Sequence, residues 1–177
     1  MKIERKTRET TITAEVAVGS GVANIDTSVP FLDHMLTTLA RYSGLDITLE
    51  ARGDLKHHIV EDVAITMGKA FAEVQPPSCY RFGDSAVVMD DALVQVVLDA
   101  GGRAYYEGPI PGALYDHWMR SFASNAGLTL HIRVLRGSDR HHIVEASFKA
   151  LGFALRQAFR VDETVTSTKG SVMLKLS

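Results

Sequence analysis

The feature that most constrains this chain of 177 residues is an internal duplication of its sequence. The pentapeptide His-His-Ile-Val-Glu occurs at residues 57–61 and again, unchanged, at residues 141–145, an offset of 84 residues. Upstream of the pentapeptides, Asp33-His34 matches Asp116-His117 at an offset of 83. Matches in the same order at nearly constant spacing predict two halves, residues 1–86 and 87–177, that form one compact unit.

The same series of elements is predicted in each half. Alternating apolar residues at 11–18 and 92–98 predict a strand, and helices are predicted over 30–42 and 114–126, each followed by a glycine. A second alternating strand follows, and then a second helix over 59–73 and 143–159. We therefore expect an α+β fold of two duplicated halves, each a β-sheet with two helices layered on it, related by a pseudo-twofold axis.

Composition excludes several classes of function. Nineteen Lys and Arg residues against 21 Asp and Glu residues give a net charge of −2, so no basic footprint for nucleic acid is present. No apolar stretch approaches the roughly 18 residues of a membrane span, and the charged N-terminal residues lack the apolar core of a signal peptide. The single cysteine, Cys79, fits a reducing compartment, so we expect a cytoplasmic protein. A nucleophilic role for Cys79 has little support, because no repeated histidine lies near it in the sequence.

The repeated histidine pairs carry the strongest functional signal, since six of the seven histidines follow the duplication. At the start of a helix, residues i and i+4 share a face, whereas residue i+1 points about 100° away. His57 and Glu61 can therefore hold one metal ion while His58 is directed at another, and the second copy behaves alike. The simplest arrangement exchanges the second histidines, so that His58 completes the ion of the second motif and His142 that of the first.

Two further histidines, His34 and His117, are matched by the duplication and can each supply one more ligand. The result is two sites of three histidines and one carboxylate, with positions open for water or substrate. Such ligands suit Mn, Fe, Co, Ni or Zn, and the lack of thiolate argues against structural zinc. The plainer interpretation, surface histidines that cap helices, does not explain why the repeat retains them. His131 falls opposite Thr48, and we interpret it as a structural strand residue.

The acidic residues beside the histidines are interpreted separately. Asp33 and Asp116 each precede a paired histidine, and we expect them either to orient it as hydrogen-bond acceptors or to cap the helix. Asp62 is replaced by Ala146 in the second copy, so we interpret it either as a solvated charge or as a charge at a helix start.

A candidate anion site lies near the C-terminus. Residues 167–170 combine two hydroxyls, an ammonium group and a glycine, which suits a phosphate although the motif is weak. Arg81 and Arg103 lie near glycines in turn regions, and either can clamp an oxyanion.

Taken together, these residues make the sequence similar to the imidazoleglycerol-phosphate dehydratase family of histidine biosynthesis, over nearly the whole chain. The resemblance rests on the two histidine motifs and on flanking segments at residues 8–10, 31–36, 53–55, 57–62, 129–131, 141–150 and 167–170. Departures from the family pattern occur at Tyr42-Ser43 and in shorter segments at 74–80, at 107–113 and before Ser167, and they affect none of the histidine motifs.

The resemblance implies a hydro-lyase that converts D-erythro-imidazoleglycerol phosphate to imidazoleacetol phosphate through a di-metal-stabilised imidazolate and diazafulvene intermediate. It implies two Mn²⁺ ions per active site, other divalent transition metals being possible, and a homo-oligomer of twenty-four subunits with active sites between chains. One ion would be held by His34, His58, His141 and Glu145. The other would be held by His57, Glu61, His117 and His142. Substrate contacts would come from Glu9, Arg81, Arg103, Ser167, Thr168 and Lys169.

The candidate catalytic residues are Glu9, Glu61 and Glu145, with Glu9 as the candidate for proton transfer. For Glu9 the alternative is a charge at the start of an edge strand. Two other functions remain open for the whole chain: a dinuclear metallohydrolase that uses the same ligands, and a non-catalytic metal-binding scaffold whose histidines join subunits.

Overall fold

The structure is a computed structural model that describes residues 1–164. The elements of this range, in chain order, are β1 (Lys2–Lys6), β2 (Thr10–Val18), β3 (Ala23–Asp26), α1 (Pro30–Ser43), β4 (Leu45–Gly53), α2 (Lys56–Val74), β5 (Phe82–Met89), β6 (Ala92–Asp99), β7 (Tyr105–Glu107), α3 (Ala113–Ala126), β8 (Thr129–Arg136) and α4 (Arg140–Ala158).

The strands of the described range form two four-stranded sheets with the same topology. Their orders are β1-β2-β4-β3 and β5-β6-β8-β7. In each sheet the first three strands pair antiparallel, and the last strand runs parallel to its neighbour. With two helices in each half, this arrangement confirms the predicted α+β duplication. Strand β5 starts at Phe82 and pairs with β6 of the second sheet, so it spans the predicted boundary between residues 86 and 87. The division of the chain into domains at this boundary remains a prediction.

The structure adds strands and helical turns that the sequence pattern did not predict. The additional strands are β1, β3, β5 and β7, which lie at the edges of the two sheets. Strands β1 and β3 have no buried position, so they lack a clear apolar signal. Helices α2 and α4 begin at Lys56 and Arg140, three residues before the predicted starts, so each histidine pair lies inside the first helical turn.

The helices of one half pack against the helices of the other. Helix α1 contacts α4, and α2 contacts α3. A glycine lies at each crossing: a Cβ atom added at Gly68 would be 2.7 Å from the Phe122 carbonyl oxygen of α3, and one at Gly152 would be 2.7 Å from Tyr42 Cβ of α1. These two glycines match in the duplication. The close crossings bring the N-terminal part of each histidine helix beside a helix of the opposite half.

A continuous apolar core fills the space between sheets and helices. Alternate residues of the inner strands, such as Ile12, Ala14 and Val16 of β2, are almost fully buried. Within residues 1–164, no helix is long and apolar enough to cross a membrane.

Candidate metal centres

The first candidate centre, called here the Glu61 cluster, consists of His57, Glu61 and His117. One possible ligand atom from each residue lies within 4.8 Å of the other two. His57 Nε2 is 3.6 Å from one carboxylate oxygen of Glu61, and His117 Nε2 is 3.2 Å from the other. The i and i+4 positions on α2 therefore share a face as the sequence predicted, and α3 supplies the third group.

The second candidate centre, called here the Glu145 cluster, consists of His34, His141 and Glu145. His141 Nε2 and His34 Nε2 lie 3.2 Å and 3.4 Å from the same oxygen of Glu145. The helix α4 provides two of these groups and α1 provides the third. Because α1 packs on α4 and α2 on α3, each cluster takes two groups from one half and one histidine from the other.

The two clusters differ in their counter-charge. Lys149 Nζ lies 2.9 Å from Glu145 Oε1, and the side chain of Glu145 is 9% exposed against 37% for Glu61. Burial alone would raise the pKa of Glu145, but the hydrogen bond and charge of Lys149, aided by His34, outweigh it and lower that pKa. The position that matches Lys149 in the first half is Ile65, which carries no charge.

Both clusters fit a divalent cation. His117 Nε2 is buried and makes no hydrogen bond within residues 1–164, although it lies beside a carboxylate. A buried polar atom without a partner is costly, and a metal ion between His117 and Glu61 would satisfy it. Imidazole nitrogen with carboxylate oxygen suits Mn, Fe, Co, Ni or Zn.

The second histidine of each pair points away from the cluster of its own motif. Within residues 1–164, neither His58 nor His142 belongs to a group that could hold a metal. His58 Nδ1 lies 2.8 Å from Asp54 Oδ1, and His142 Nδ1 lies 2.8 Å from Asp91 Oδ1. These hydrogen bonds raise the pKa of both histidines. Within one chain, these two predicted ligands therefore lie apart from the clusters they are predicted to complete, and their role as ligands stays a prediction.

Glu9 lies directly before β2 and faces His58. Its Oε2 atom is 3.7 Å from His58 Nδ1, and its carbonyl oxygen accepts a hydrogen bond from the Asp54 backbone N–H. Strand β2 lies between β1 and β4, so the alternative interpretation of Glu9 as a charge on an edge strand does not match the topology. The predicted proton-transfer residue is therefore exposed at the same end of the fold as the clusters.

Arg81 lies in an open cleft of about 770 Å³ at the other end of α2. Its Nε and Nη2 atoms donate to the two carboxylate oxygens of Asp99 at 2.7 and 2.8 Å, which raises the pKa of Arg81. Gly101 lies against the guanidinium group, and Gln75, the residue after α2, also lines the cleft. None of the described lining residues is a histidine.

The structure does not bring the predicted phosphate contacts to the metal clusters of the same chain. Gln75 stands 18 positions after His57, which corresponds to about 27 Å along a helix. Arg103 is exposed next to the cleft residue Gly102, and its carbonyl oxygen accepts a hydrogen bond from Thr129 Oγ1. Ser167, Thr168 and Lys169 lie outside the described residues.

Asp33 and Asp116 anchor the loops that precede their helices. Asp33 Oδ1 accepts hydrogen bonds from the backbone N–H and hydroxyl of Thr27, and Asp116 Oδ1 accepts from the Tyr106 hydroxyl and the Ile110 N–H. Neither carboxylate has a hydrogen bond to a histidine within residues 1–164. Neither hydrogen-bonding role expected from the sequence is seen in this range: the two carboxylates bind loop residues before the helices rather than a histidine or the first N–H groups of the helix.

The interpretation of Asp62 as a solvated or helix-start charge is wrong, because Asp62 is buried and lies beyond the first turn of α2. Asp62 is buried, and its carboxylate accepts hydrogen bonds from Arg5 Nη2 at 2.7 Å and Thr10 Oγ1 at 2.5 Å. It joins α2 to β1 and β2 on either side of the turn that carries Glu9. The partners lie 57 and 52 residues away in sequence, so no local pattern could reveal the burial.

Sequence reasoning also missed three residues that contact candidate ligands. Asp54 stands four residues before His58, and Lys149 four residues after Glu145, a spacing that could have revealed both. Asp91 lies in the β5–β6 turn, far from His142 in sequence, and gave no such signal.

Comparison with known proteins gives one consistent result. The sequence model of the imidazoleglycerol-phosphate dehydratase family matches residues 27–155. Imidazoleglycerol-phosphate dehydratases of Methanococcoides burtonii and Kineococcus radiotolerans are 44% and 42% identical, over 96% and 97% of this chain and 97% and 98% of theirs.

Two solved structures are similar over nearly their full length. The protein of Pyrococcus furiosus, in complex with (S)-C348, is 41% identical with a TM-score of 0.85, covering 96% of this chain and 100% of the other. The protein of Staphylococcus aureus is 32% identical with a TM-score of 0.80, covering 92% and 99%.

Proposed function

The chain belongs to the imidazoleglycerol-phosphate dehydratase family, lyases of histidine biosynthesis, and from this membership we propose that it dehydrates D-erythro-imidazoleglycerol phosphate to imidazoleacetol phosphate with two bound divalent ions. The observation that carries the proposal is the pair of three-residue clusters, each built from both halves of the duplication. We propose Mn²⁺ as the resident ion, with other divalent transition metals as substitutes.

The proposed ligand sets assign each cluster one more histidine. The Glu145 cluster would be completed by His58 and the Glu61 cluster by His142. Bound ions would supply positive charge that favours loss of the ring N–H proton and stabilises negative charge as it develops on the imidazole of the substrate. Two carboxylates, Glu61 and Glu145, contribute to catalysis by holding these ions.

The remaining chemistry is proton transfer and positioning by the residues of the chain itself. Dehydration breaks one C–H bond and one C–O bond and forms a C=C bond; the proton and hydroxide leave as water, and the resulting enol rearranges to the ketone of imidazoleacetol phosphate. The exposed carboxylate of Glu9, 3.7 Å from His58, is the proposed group that takes or gives a proton at the substrate carbons. Its position at the cluster end of the fold is what this role requires.

The active site is proposed to form between chains of a homo-oligomer, of twenty-four subunits by analogy with the family. The substrate has only three carbons between its imidazole ring and its phosphate group. The roughly 27 Å length of α2 between the clusters and Arg81 is too large for one substrate to contact both in one chain. Arg81, Arg103, Ser167, Thr168 and Lys169 would therefore bind the phosphate of a substrate whose imidazole lies at the clusters of a neighbouring chain.

The outward direction of His58 and His142 supports the same arrangement, because within residues 1–164 neither joins a cluster of its own chain. Reaction in the cytoplasm is part of the proposal and agrees with the free thiol of Cys79.

The test is a product assay on purified protein loaded with Mn²⁺ and given imidazoleglycerol phosphate, with metal analysis of the same sample. We expect imidazoleacetol phosphate, no free phosphate, and two ions per chain. Release of inorganic phosphate would instead identify a dinuclear metallohydrolase. Metal-dependent assembly without turnover would identify a scaffold.

A further inference from the structure

We propose that Asp54 and Asp91 are positioning residues that fix the rings of His58 and His142 so that the Nε2 atom of each is presented to a metal cluster of a neighbouring chain. The inference rests on the proposed function, because it takes these two histidines as metal ligands. It goes beyond that function by assigning a role to two acidic residues outside both clusters.

In the first half, the acceptor lies in the loop before the helix. Asp54 Oδ1 is 2.8 Å from His58 Nδ1, and the Asp54 backbone N–H donates to the carbonyl oxygen of Glu9. The loop and the Glu9 turn therefore hold each other in place. Because the Nδ1 atom of His58 faces a carboxylate, Nδ1 carries the ring proton and donates it to that carboxylate. The Nε2 atom then remains as the nitrogen that binds metal.

In the second half, the acceptor comes from the hairpin turn instead. Asp91 Oδ1 is 2.8 Å from His142 Nδ1, while Asp91 Oδ2 accepts from the backbone N–H and hydroxyl of Ser138 and from the Asp139 N–H. These bonds fix the carboxylate behind the ring. Asp90 Oδ2 lies 3.3 Å from His142 Nε2, so this neighbouring exposed carboxylate must move aside, or share the ion, when His142 binds metal.

The two acceptors do not correspond in the duplication. The residue that matches Asp54 is Ser138, at the same offset of 84 as the histidine pairs. Asp91 directly precedes β6, as Glu9 directly precedes β2. Two non-equivalent carboxylates thus make the same 2.8 Å contact with the same ring nitrogen. Simple inheritance from the duplicated ancestor would place them at matching positions, so the shared contact points to a shared requirement.

The Nε2 atoms of the cluster histidines support this assignment. In His34, His57, His117 and His141 the nitrogen nearest the cluster carboxylate is Nε2. A fourth ligand that also binds through Nε2 needs its Nδ1 proton satisfied on the far side of the ring. Asp54 and Asp91 provide that acceptor.

The experiment measures Mn²⁺ affinity of the full chain by the electron paramagnetic resonance signal of free Mn²⁺, together with the unfolding midpoint of each variant. For the first half, the variants are Asp54→Ala, Asp54→Asn, His58→Ala and the double variant Asp54→Ala/His58→Ala. We expect Asp54→Ala to weaken binding of one of the two ions by about 10- to 100-fold, as loss of an outer carboxylate does elsewhere. Asp54→Asn should fall between, because its amide oxygen still accepts from Nδ1–H.

The double variant separates positioning from general damage. If Asp54 acts through His58, then adding Asp54→Ala to His58→Ala should cause no further loss of affinity. For the second half, Asp91→Ala should weaken the other ion, and Asp91→Ala/Ser138→Asp should restore it by placing the acceptor where the first half has it. Asp84→Ala, an exposed carboxylate of β5, is the matched control and should bind both ions like the parent.

Three results would overturn the inference: an Asp54→Ala chain that binds both ions like the parent, a loss that adds to that of His58→Ala, or no restoration by Ser138→Asp. A His58→Ala chain that binds both ions normally would instead overturn the proposed ligand set, and the inference with it. If His58→Ala loses one ion while Asp54→Ala binds both ions like the parent, then the inference fails but the proposed function stands.

Discussion

The Glu61 and Glu145 clusters each consist of two histidines and one glutamate, but the residues that surround these groups differ. Both use a histidine and a glutamate four residues apart at the start of a long helix, with a histidine from the other half. The Glu145 cluster has Lys149 beside its carboxylate, whereas the Glu61 carboxylate forms no salt bridge with a lysine or arginine of residues 1–164. The duplication has therefore retained the groups suited to metal and has let their supports diverge.

The turns before the second strand of each sheet differ in the same way. In the first half this turn carries Glu9, and the buried Asp62 ties its two flanking strands to α2. In the second half the position that matches Asp62 is Ala146, so this tie is missing. The carboxylate of the turn residue Asp91 instead hydrogen-bonds His142. The turn of the first half thus exposes a carboxylate 3.7 Å from His58, whereas the turn carboxylate of the second half hydrogen-bonds His142 at 2.8 Å.

The largest expected effect tests whether both clusters are needed for activity. Glu61→Gln and Glu145→Gln should each remove about one ion per chain and lower the dehydration rate at least about a hundredfold, because each weakens the binding of one ion. Metal analysis and the rate of imidazoleacetol phosphate formation check this. Glu15→Gln, an exposed carboxylate on β2, should retain the parent metal content. Full activity in either cluster variant would show that the two clusters are not both needed.

The next effect tests the ion pair between Asp62 and Arg5, whose carboxylate has no counterpart in the second half because Ala146 occupies the matching position. Asp62→Ala should lower the free energy of unfolding by about 2 to 3 kcal/mol, because it leaves Arg5 and Thr10 without their acceptor. Urea unfolding of the metal-free chain measures it. The exposed Glu4 pairs with Lys2 at the surface, so Glu4→Ala should change stability by less than about 0.5 kcal/mol. An Asp62→Ala chain as stable as the parent would contradict the buried pairing.

A smaller effect should be shared by the two halves. Gly68→Ala and Gly152→Ala should each lower the free energy of unfolding by about 1 to 2 kcal/mol, the overpacking penalty less the helix propensity that alanine adds. Lys69→Ala, on the exposed face of α2, provides the control for propensity. If only one glycine variant is destabilised, then the two helix crossings are less alike than their geometry indicates.

The smallest effect concerns the turn at residues 20–22, at the opposite end of the first sheet from Glu9. Asp46 accepts the backbone N–H groups of Ser20, Gly21 and Val22, and these bonds lower its pKa below 3.8. A lowered pKa stabilises the fold above the unfolded value, and the contribution is lost as pH falls through the folded value. The difference in urea midpoint between parent and Asp46→Asn should therefore be largest near neutral pH and vanish in acid. A constant difference across this range would contradict the role of the charge.

Much of the fold and of the clusters could be predicted from the sequence, because both depend on short-range periodicity. The repeat gave two similar halves, and the i and i+4 spacing placed His57 with Glu61 on one face of a helix. The assignment of His34 to the second motif and of His117 to the first followed only from the family resemblance. This assignment depends on which helices cross, and the local pattern does not reveal the crossings. Edge strands, with partners on one side only, left a weaker pattern.

The supports of the site could not be predicted for a related reason. Asp62 is buried by Arg5 and Thr10, which lie on strands far away in sequence. Asp91 reaches His142 across 51 residues. A charged residue has the same local signature whether it is solvated or paired, so only the tertiary structure distinguishes the two cases.

The central claim is that each cluster is completed by a histidine from a neighbouring chain, and a complementation measurement tests it most directly. His58→Ala and Glu145→Gln chains are purified separately, stripped of metal, mixed in equal amounts and returned to Mn²⁺. Co-purification through a tag on one variant verifies mixed assembly. Each variant alone should be nearly inactive. In the mixture, His58 of the Glu145→Gln chains can complete Glu145 clusters of the His58→Ala chains, so up to about a quarter of parent dehydratase activity should return. A mixed assembly that remains as inactive as its parts would show that His58 does not act between chains.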